Sequence, residues 1–141
     1  SGLTHTLVTT AANVGDVTQA HALLHGQEQE AYADAGYQGV DKRPENANCT
    51  VTWHVAMKRS KRKALPDSRW GKLREEIEKT KASIRSKVEH PFHVVKNLFG
   101  HRKVRYRGLE KNTAQLFTLF GLANLVLAKI RLLAPDAQGA S

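Results

Sequence analysis

Arg85, Glu89, Phe92 and Lys96 stand at successive offsets of four, three and four, a spacing that sets them along one side of a helix. An acid with a guanidinium one turn before it and an ammonium two turns after it can hold a divalent cation and a phosphate together. Taking about 100° per residue from Ile84, Val88, Phe92 and Val95 project at about 40°, 80° and 20°, and Arg85, Lys96 and Glu89 at about 100°, 120° and 140°. The polar stripe therefore borders an apolar one. The same spacing also fits a plain amphipathic surface helix, in which the i,i+4 Arg85 and Glu89 pair contributes only about 0.2 to 0.5 kcal/mol. Pro91 falls inside the pattern; lacking an N–H and crowding the preceding turn, it should kink or interrupt the helix.

A second acid stands in Ala33-Asp34-Ala35-Gly36-Tyr37-Gln38-Gly39. A short strand over Glu30 to Ala33 would deliver Asp34 to a tight glycine loop at a sheet edge. There a carboxylate can ligate a metal or simply cap a turn.

The run Ile84-Arg85-Ser86-Lys87-Val88-Glu89-His90-Pro91-Phe92-His93-Val94-Val95-Lys96, followed by Phe99-Gly100 and Val104-Arg105-Tyr106-Arg107-Gly108-Leu109-Glu110-Lys111-Asn112, closely resembles the C-terminal catalytic region of DDE transposases of bacterial insertion sequences. In that family the third catalytic acid lies in a Tyr-x2-Arg-x3-Glu-x6-Lys signature, which sets the Arg, Glu and Lys on Arg85, Glu89 and Lys96. The signature's Tyr falls at position 82, where this chain has Ala82. The segment around Asp34 looks like the family's second catalytic Asp at a strand end, and the resemblance runs from Gly2 to Leu133.

The resemblance implies an RNase H-like fold and Mg²⁺-dependent DNA cleavage and strand transfer at terminal inverted repeats. Three carboxylates would hold two Mg²⁺ ions, one activating the attacking water or 3′-hydroxyl and the other stabilising the leaving oxygen. It assigns catalysis and metal binding to Asp34 and Glu89, with Arg85, Lys96 and Tyr37 supporting them or contacting phosphate. Upstream of Asp34 the only other aspartate is Asp16, in a setting that reads as the N-cap of a helix from Val17 to about Leu24. The family's first Asp is therefore expected to be missing, and the chain to be a truncated catalytic domain over 1–133 with weak or no activity of its own. A short flexible tail is expected over 134–141.

The element pattern reads as α/β. Leu3 to Thr10, a short stretch ending at Tyr32 and Ala33, and Val51 to Met57 carry strand signals for part of a mixed sheet. Trp70 to about Leu98 carries Leu73, Ile77, Ile84, Val88 and Val95 at helical spacing, with Glu75, Glu76 and Glu78 expected on the outside. Thr113 to Leu133, capped by Asn112, is apolar almost all round. Its uncharged run from Asn112 to Ala128 is 17 residues long and includes Gln115, Thr118 and Asn124. That is too short and too polar for a membrane span, so a core helix is expected. If strands that would cover it are missing, the apolar surface left open should aggregate or bind a partner.

Charge is divided unevenly. Residues 1–50 hold two Lys or Arg against six Asp or Glu, a balance of minus four, and residues 51–141 hold 20 against seven, a balance of plus thirteen. Much of the excess lies in Lys58, Arg59, Lys61, Arg62 and Lys63, read as an exposed loop, and in Arg102, Lys103, Arg105, Arg107 and Lys111 around Tyr106. Double-stranded DNA is the expected partner, bound chiefly through its phosphates. The second cluster could clamp phosphates with its arginines while the Tyr106 ring stacks or packs beneath the backbone. A solvated basic loop remains the simple reading of the first cluster.

The single Cys49 excludes a disulfide scaffold and fits a cytoplasmic setting. His90 and His93 flank Pro91 without a matching Cys or His pair, so they do not read as a zinc site. No apolar leader, Walker loop or Rossmann fingerprint is present. Beyond DNA, a homo-oligomer or a separate N-terminal part is the expected partner, and no membrane is. The alternative function is a catalytically inactive, basic DNA-binding remnant that occupies the DNA or the assembly surface of an intact copy. A further alternative is an open-reading-frame fragment that never folds stably.

Overall fold

A computed structural model of the chain describes residues 2–134. It divides into two compact units, one spanning Thr10–Lys87 and the other combining the residues up to Thr9 with those from Val88 onward. The tail expected over 134–141 lies, from residue 135 on, outside the described residues.

In the Thr10–Lys87 unit, strands β1 (Glu30–Ala33) and β2 (Thr52–Val55) form a two-stranded parallel sheet, pairing Glu30 with Thr52 and Ala33 with Val55. Parallel strands need a long crossover, and here it is a chain of 3-10 turns at Ala35–Tyr37, Val40–Lys42 and Pro44–Asn46. Tyr32 stacks on His54 across the pair, ring centres 4.7 Å apart. Under the turns, Val40 and Ala20 are fully buried, and the Asn46 side chain donates to the Val40 carbonyl at 2.9 Å.

Three expectations change in this unit. The helix expected from Val17 is a 3-10 segment, Asp16–Leu23, with Gly15 and not Asp16 at its cap position. The Thr18 amide and hydroxyl both bond the Gly15 carbonyl, at 3.0 and 2.7 Å, which starts the turn a residue early. The first basic cluster is not a loop, because Arg59–Lys63 forms a short helix, α1, preceded by Lys58. Glu78, expected outside, is 5% exposed.

Helix α2 (Arg69–His93) begins in this unit. Ser68 caps it, its hydroxyl accepting the Gly71 N–H at 3.2 Å and its carbonyl the Lys72 N–H at 2.9 Å. Gly71 is obligatory for a steric reason, since a Cβ there would lie 1.9 Å from the Pro66 carbonyl oxygen. Pro91 sits inside α2, and the expected disturbance follows it as a π-helical turn over Val94–Leu98. Pro91 supplies no amide to the ladder, and just beyond it the Phe99 N–H reaches back five residues to the Val94 carbonyl at 3.0 Å.

In the second unit that turn carries the buried Val94 and Val95 against Phe120 and Ala123 of helix α3 (Leu109–Leu133), with Leu7, Phe99, Leu116, Leu119, Val126 and Leu127 around them. Phe92 meets Phe120 edge to face at 5.0 Å. The strand expected over Leu3 to Thr10 is not a strand. It lies along α3, with the Thr4 N–H donating to Asn124 Oδ1 at 2.8 Å, Asn124 Nδ2 donating to the Thr4 carbonyl at 2.7 Å, and the Thr9 and Thr113 hydroxyls 2.6 Å apart. Side chains of α3 thus satisfy backbone groups that a neighbouring strand would otherwise take. The observed sheet is therefore parallel and two-stranded, not mixed.

Helix α3 starts at Leu109, so Asn112 lies within its first turn instead of capping it. It serves the core through Phe120 and Ala123 as expected, yet Phe117, Leu125, Ile130, Leu132 and Leu133 are exposed. By length and composition α3 also meets the measure of a membrane-crossing helix.

Candidate functional site

A cleft of about 480 Å³ opens in the Thr10–Lys87 unit where the end of β1, the end of β2, α1 and α2 meet. Asp34 reaches it from the residue after β1, Arg59 and Arg62 from α1, and Glu78, Ala82 and Arg85 from α2. Parallel strands deliver their carboxyl ends to the same side, which is why a residue following each strand shares one opening.

Asp34 is exposed, and its Oδ1 accepts the Gly36 N–H at 2.8 Å, orienting the carboxylate over the turn it caps. Gly36 keeps that approach open, since a Cβ there would sit 3.0 Å from Asp34 Oδ1. Tyr37, three residues after Asp34, is half-buried. Burial first, and then the negative charges of Asp16 and Asp34, push its hydroxyl above the ordinary tyrosine value. It is therefore a neutral donor at physiological pH, not a phenolate.

Arg62 grips Glu75 of α2 with both arms, Nε to Oε2 at 2.8 Å and Nη2 to Oε1 at 2.6 Å. That hydrogen bonding holds the Glu75 carboxyl below the usual carboxylate range. The fork fixes α1 against α2 and so fixes where Arg59, on the same short helix, presents its charge. Among the described residues Arg59 enters no ion pair. Ala82, where the signature has Tyr, lines the cleft with a methyl group only.

Glu78 is the residue that sequence reasoning missed. Its Oε2 accepts the Met57 N–H at 2.7 Å, and its Oε1 accepts from Lys81 Nζ at 2.9 Å, which also donates to the Val55 carbonyl at 3.2 Å. Burial acts to raise this carboxyl, but the hydrogen bonds from Lys81 and Met57 and the charges of Lys81 and Arg62 prevail and lower it. On the projection that groups Arg85, Lys96 and Glu89, Glu78 also falls at about 120°. That angle is the available signal, and it points to a carboxylate anchoring the cleft wall.

The structure thus brings Asp34, Arg85, Arg59 and Arg62 into one cleft, with Lys58, Lys61 and Lys63 on the same turn of chain. Glu89 and Lys96 belong to the other unit, Glu89 exposed one turn beyond Arg85 on α2 and Lys96 in the π-helical turn with its ammonium 5.8 Å from the Phe92 ring centre. The exposed Asp34 carboxylate is a hard oxygen donor of the kind Mg²⁺ takes. Among the described residues, no three His, Cys, Asp or Glu side chains gather into a metal cage.

The second basic cluster is also displayed. Arg102, Lys103, Arg105, Arg107 and Lys111 are exposed, and Tyr106 is half-exposed. Asn112 clamps their loop to the first turn of α3, donating to the Tyr106 and Gly108 carbonyls, each at 2.7 Å, and accepting the Tyr106 N–H at 3.2 Å. Arg102 reaches back to the Lys96 carbonyl at 3.4 Å and to Asn97 Oδ1 at 3.3 Å, a cation at a helix C-terminus.

No solved structure matches the chain. The family model of the transposase DDE domain matches residues 1–125, a span that takes in Asp34 with its glycine turn, the basic cleft, the Arg85 to Lys96 stretch and most of α3. On that match the chain belongs to the transposase DDE domain family.

Proposed function

We propose that this chain works in DNA transposition by binding double-stranded DNA at the terminal inverted repeats of an insertion sequence, with Asp34 and Glu89 as the metal-facing carboxylates of strand cleavage and transfer. The observation that carries the reading is the cleft in which the exposed Asp34 carboxylate shares walls with Arg59, Arg62 and Arg85. A carboxylate beside guanidinium groups suits a phosphodiester, because the guanidiniums bind its oxygens while the acid stays available to a hard cation. The parallel β1 and β2 pair is in keeping with part of an RNase H-like sheet, and the DNA substrate with a cytoplasmic setting.

A divalent cation, when bound, supplies Lewis-acid polarisation of the phosphoryl group and a more acidic attacking hydroxyl. The chain's own residues do the rest. The Gly36 amide holds the Asp34 carboxylate in one orientation, and Arg59 and Arg85 neutralise backbone phosphate. Tyr37, kept protonated, offers a hydrogen bond and not a nucleophile. Glu89 supplies the second carboxylate, and Lys96 adds phosphate contact along the same stretch.

The test is Mg²⁺-dependent cleavage of a labelled duplex carrying inverted-repeat ends, comparing the chain with Asp34→Ala and Glu89→Ala. Cleavage lost in both variants supports the reading, and cleavage untouched by either refutes it. Duplex binding that survives both substitutions without any cleavage favours instead an inactive DNA-binding protein. The exposed cluster from Arg102 to Lys111 gives that second reading its basis.

A further inference from the structure

We infer that Trp70 and Arg74, at the start of α2, form a stacking platform for an unpaired base of single-stranded DNA. The inference rests on the proposed DNA role and adds a subsite to it. Trp70 is 62% exposed, an unusual state for the largest apolar side chain, and the guanidinium carbon of Arg74 lies over its ring, 5.6 Å from the centre. A cation on one face of an indole holds the ring in place and leaves the other face open. Trp70 lines a broad cleft of about 790 Å³ together with Arg69, Lys72, Leu73 and Glu76. The neighbouring Leu73 and Ile77 are each 46% exposed.

The ligand chemistry follows from these groups. An exposed aromatic ring beside an apolar strip wants a flat, partly apolar partner, and the surrounding cations want an anion. A nucleobase on its phosphate backbone is both, and stacking tolerates any base. Lys72 pairs with Asp67 at 3.1 Å, but both side chains are largely exposed, at 74% and 89%. Such a pair is weak and screened, so Lys72 can turn to a phosphate. The cations outnumber the one carboxylate, Glu76, on the cleft wall. The bases of an intact duplex are stacked on each other, so only a single strand or a frayed end can use the platform.

The test titrates the full chain with a short oligothymidylate at low salt, reading tryptophan fluorescence and, separately, anisotropy of the labelled strand. The expected result is quenching on binding, an affinity lowered about 5- to 100-fold in Trp70→Ala, and near-native affinity without the quench in Trp70→Phe, where Trp53 still reports. Because Trp70 is exposed, circular dichroism of both variants should match the native chain. Trp70→Ala binding as tightly as the native chain overturns the inference. Binding of the inverted-repeat duplex with no binding of the single strand also overturns it while leaving the proposed function standing, and binding of neither overturns both.

Discussion

Glu78 Oε2 accepts the Met57 N–H at 2.7 Å, so a carboxylate on α2 closes the backbone ladder just past the end of β2. The same group holds Lys81, whose ammonium donates to the Val55 carbonyl. Glu78→Ala leaves the part-buried Met57 amide without its acceptor and the Lys81 ammonium with the Val55 carbonyl alone, and should lower unfolding free energy by about 2 kcal/mol. Glu78→Gln keeps an acceptor and should cost about half that. A urea midpoint unchanged in Glu78→Ala would contradict this role.

The acid response has a definite sign. The Glu78 carboxyl is lowered on folding, so the unfolded chain takes up its proton first. Its stabilisation is present above the ordinary carboxylate range, near pH 4.3, and fades as pH falls through that range toward the folded value. Urea midpoints from pH 7 down to about 3 should therefore converge for the native chain and Glu78→Gln. A gap that widens on acidification would exclude the assignment.

Gly71→Ala reverses the usual rule. In an exposed helix interior alanine gains about 1 kcal/mol over glycine, but here the new methyl meets the Pro66 carbonyl oxygen at 1.9 Å. The backbone must shift, at a cost of about 1 to 3 kcal/mol. Thermal unfolding decides the sign.

Arg59 and Arg62 should separate affinity from stability. Arg59→Ala should leave the unfolding midpoint alone and flatten the plot of log affinity against log salt for duplex DNA by about 0.9 for each phosphate that Arg59 neutralises. Arg62→Ala breaks the fork to Glu75, a part-exposed pair that contributes little to stability, and it also lets α1 drift. Equal salt slopes for the native chain and Arg59→Ala would remove Arg59 from the interface.

Asn112→Ala frees the Tyr106 loop from α3. Tyr106 amide exchange should speed up by about fivefold, in keeping with loss of roughly 1 kcal/mol of clamping, and the second basic cluster should bind duplex less tightly. Unchanged exchange at Tyr106 would show that some other group holds the loop.

The sequence exposes some of these features and hides others for physical reasons. β1 and β2 are legible because Tyr32, Thr52 and Val55 favour extended backbone next to turn residues, and α2 is legible through its periodic apolar stripe. Leu3 to Thr10 carries an equally good strand signal, yet extended backbone needs only some partner for its polar groups, and the Asn124 side chain provides one for Thr4 from a helix. Glu78 reads as an outside residue because charged side chains usually are exposed. Its burial depends on a distant amide at Met57 that no local pattern encodes. Asp34 is readable as a turn cap, but its meeting with Arg59 and Arg62 requires knowing that α1 folds back under the fork to Glu75.

The Thr4 to Asn124 pairing spans 120 positions of chain. One compact unit is a single uninterrupted run, Thr10–Lys87, whereas the other is assembled from the residues before it and those after it. During synthesis the uninterrupted unit can condense as soon as Lys87 has emerged. The Thr4 amide and carbonyl must wait, in water, until Asn124 of α3 is released. Pairings of such separation form slowly, so the nascent chain should pass through a stage with one unit protected and the Leu3 to Thr9 strip still accessible to protease.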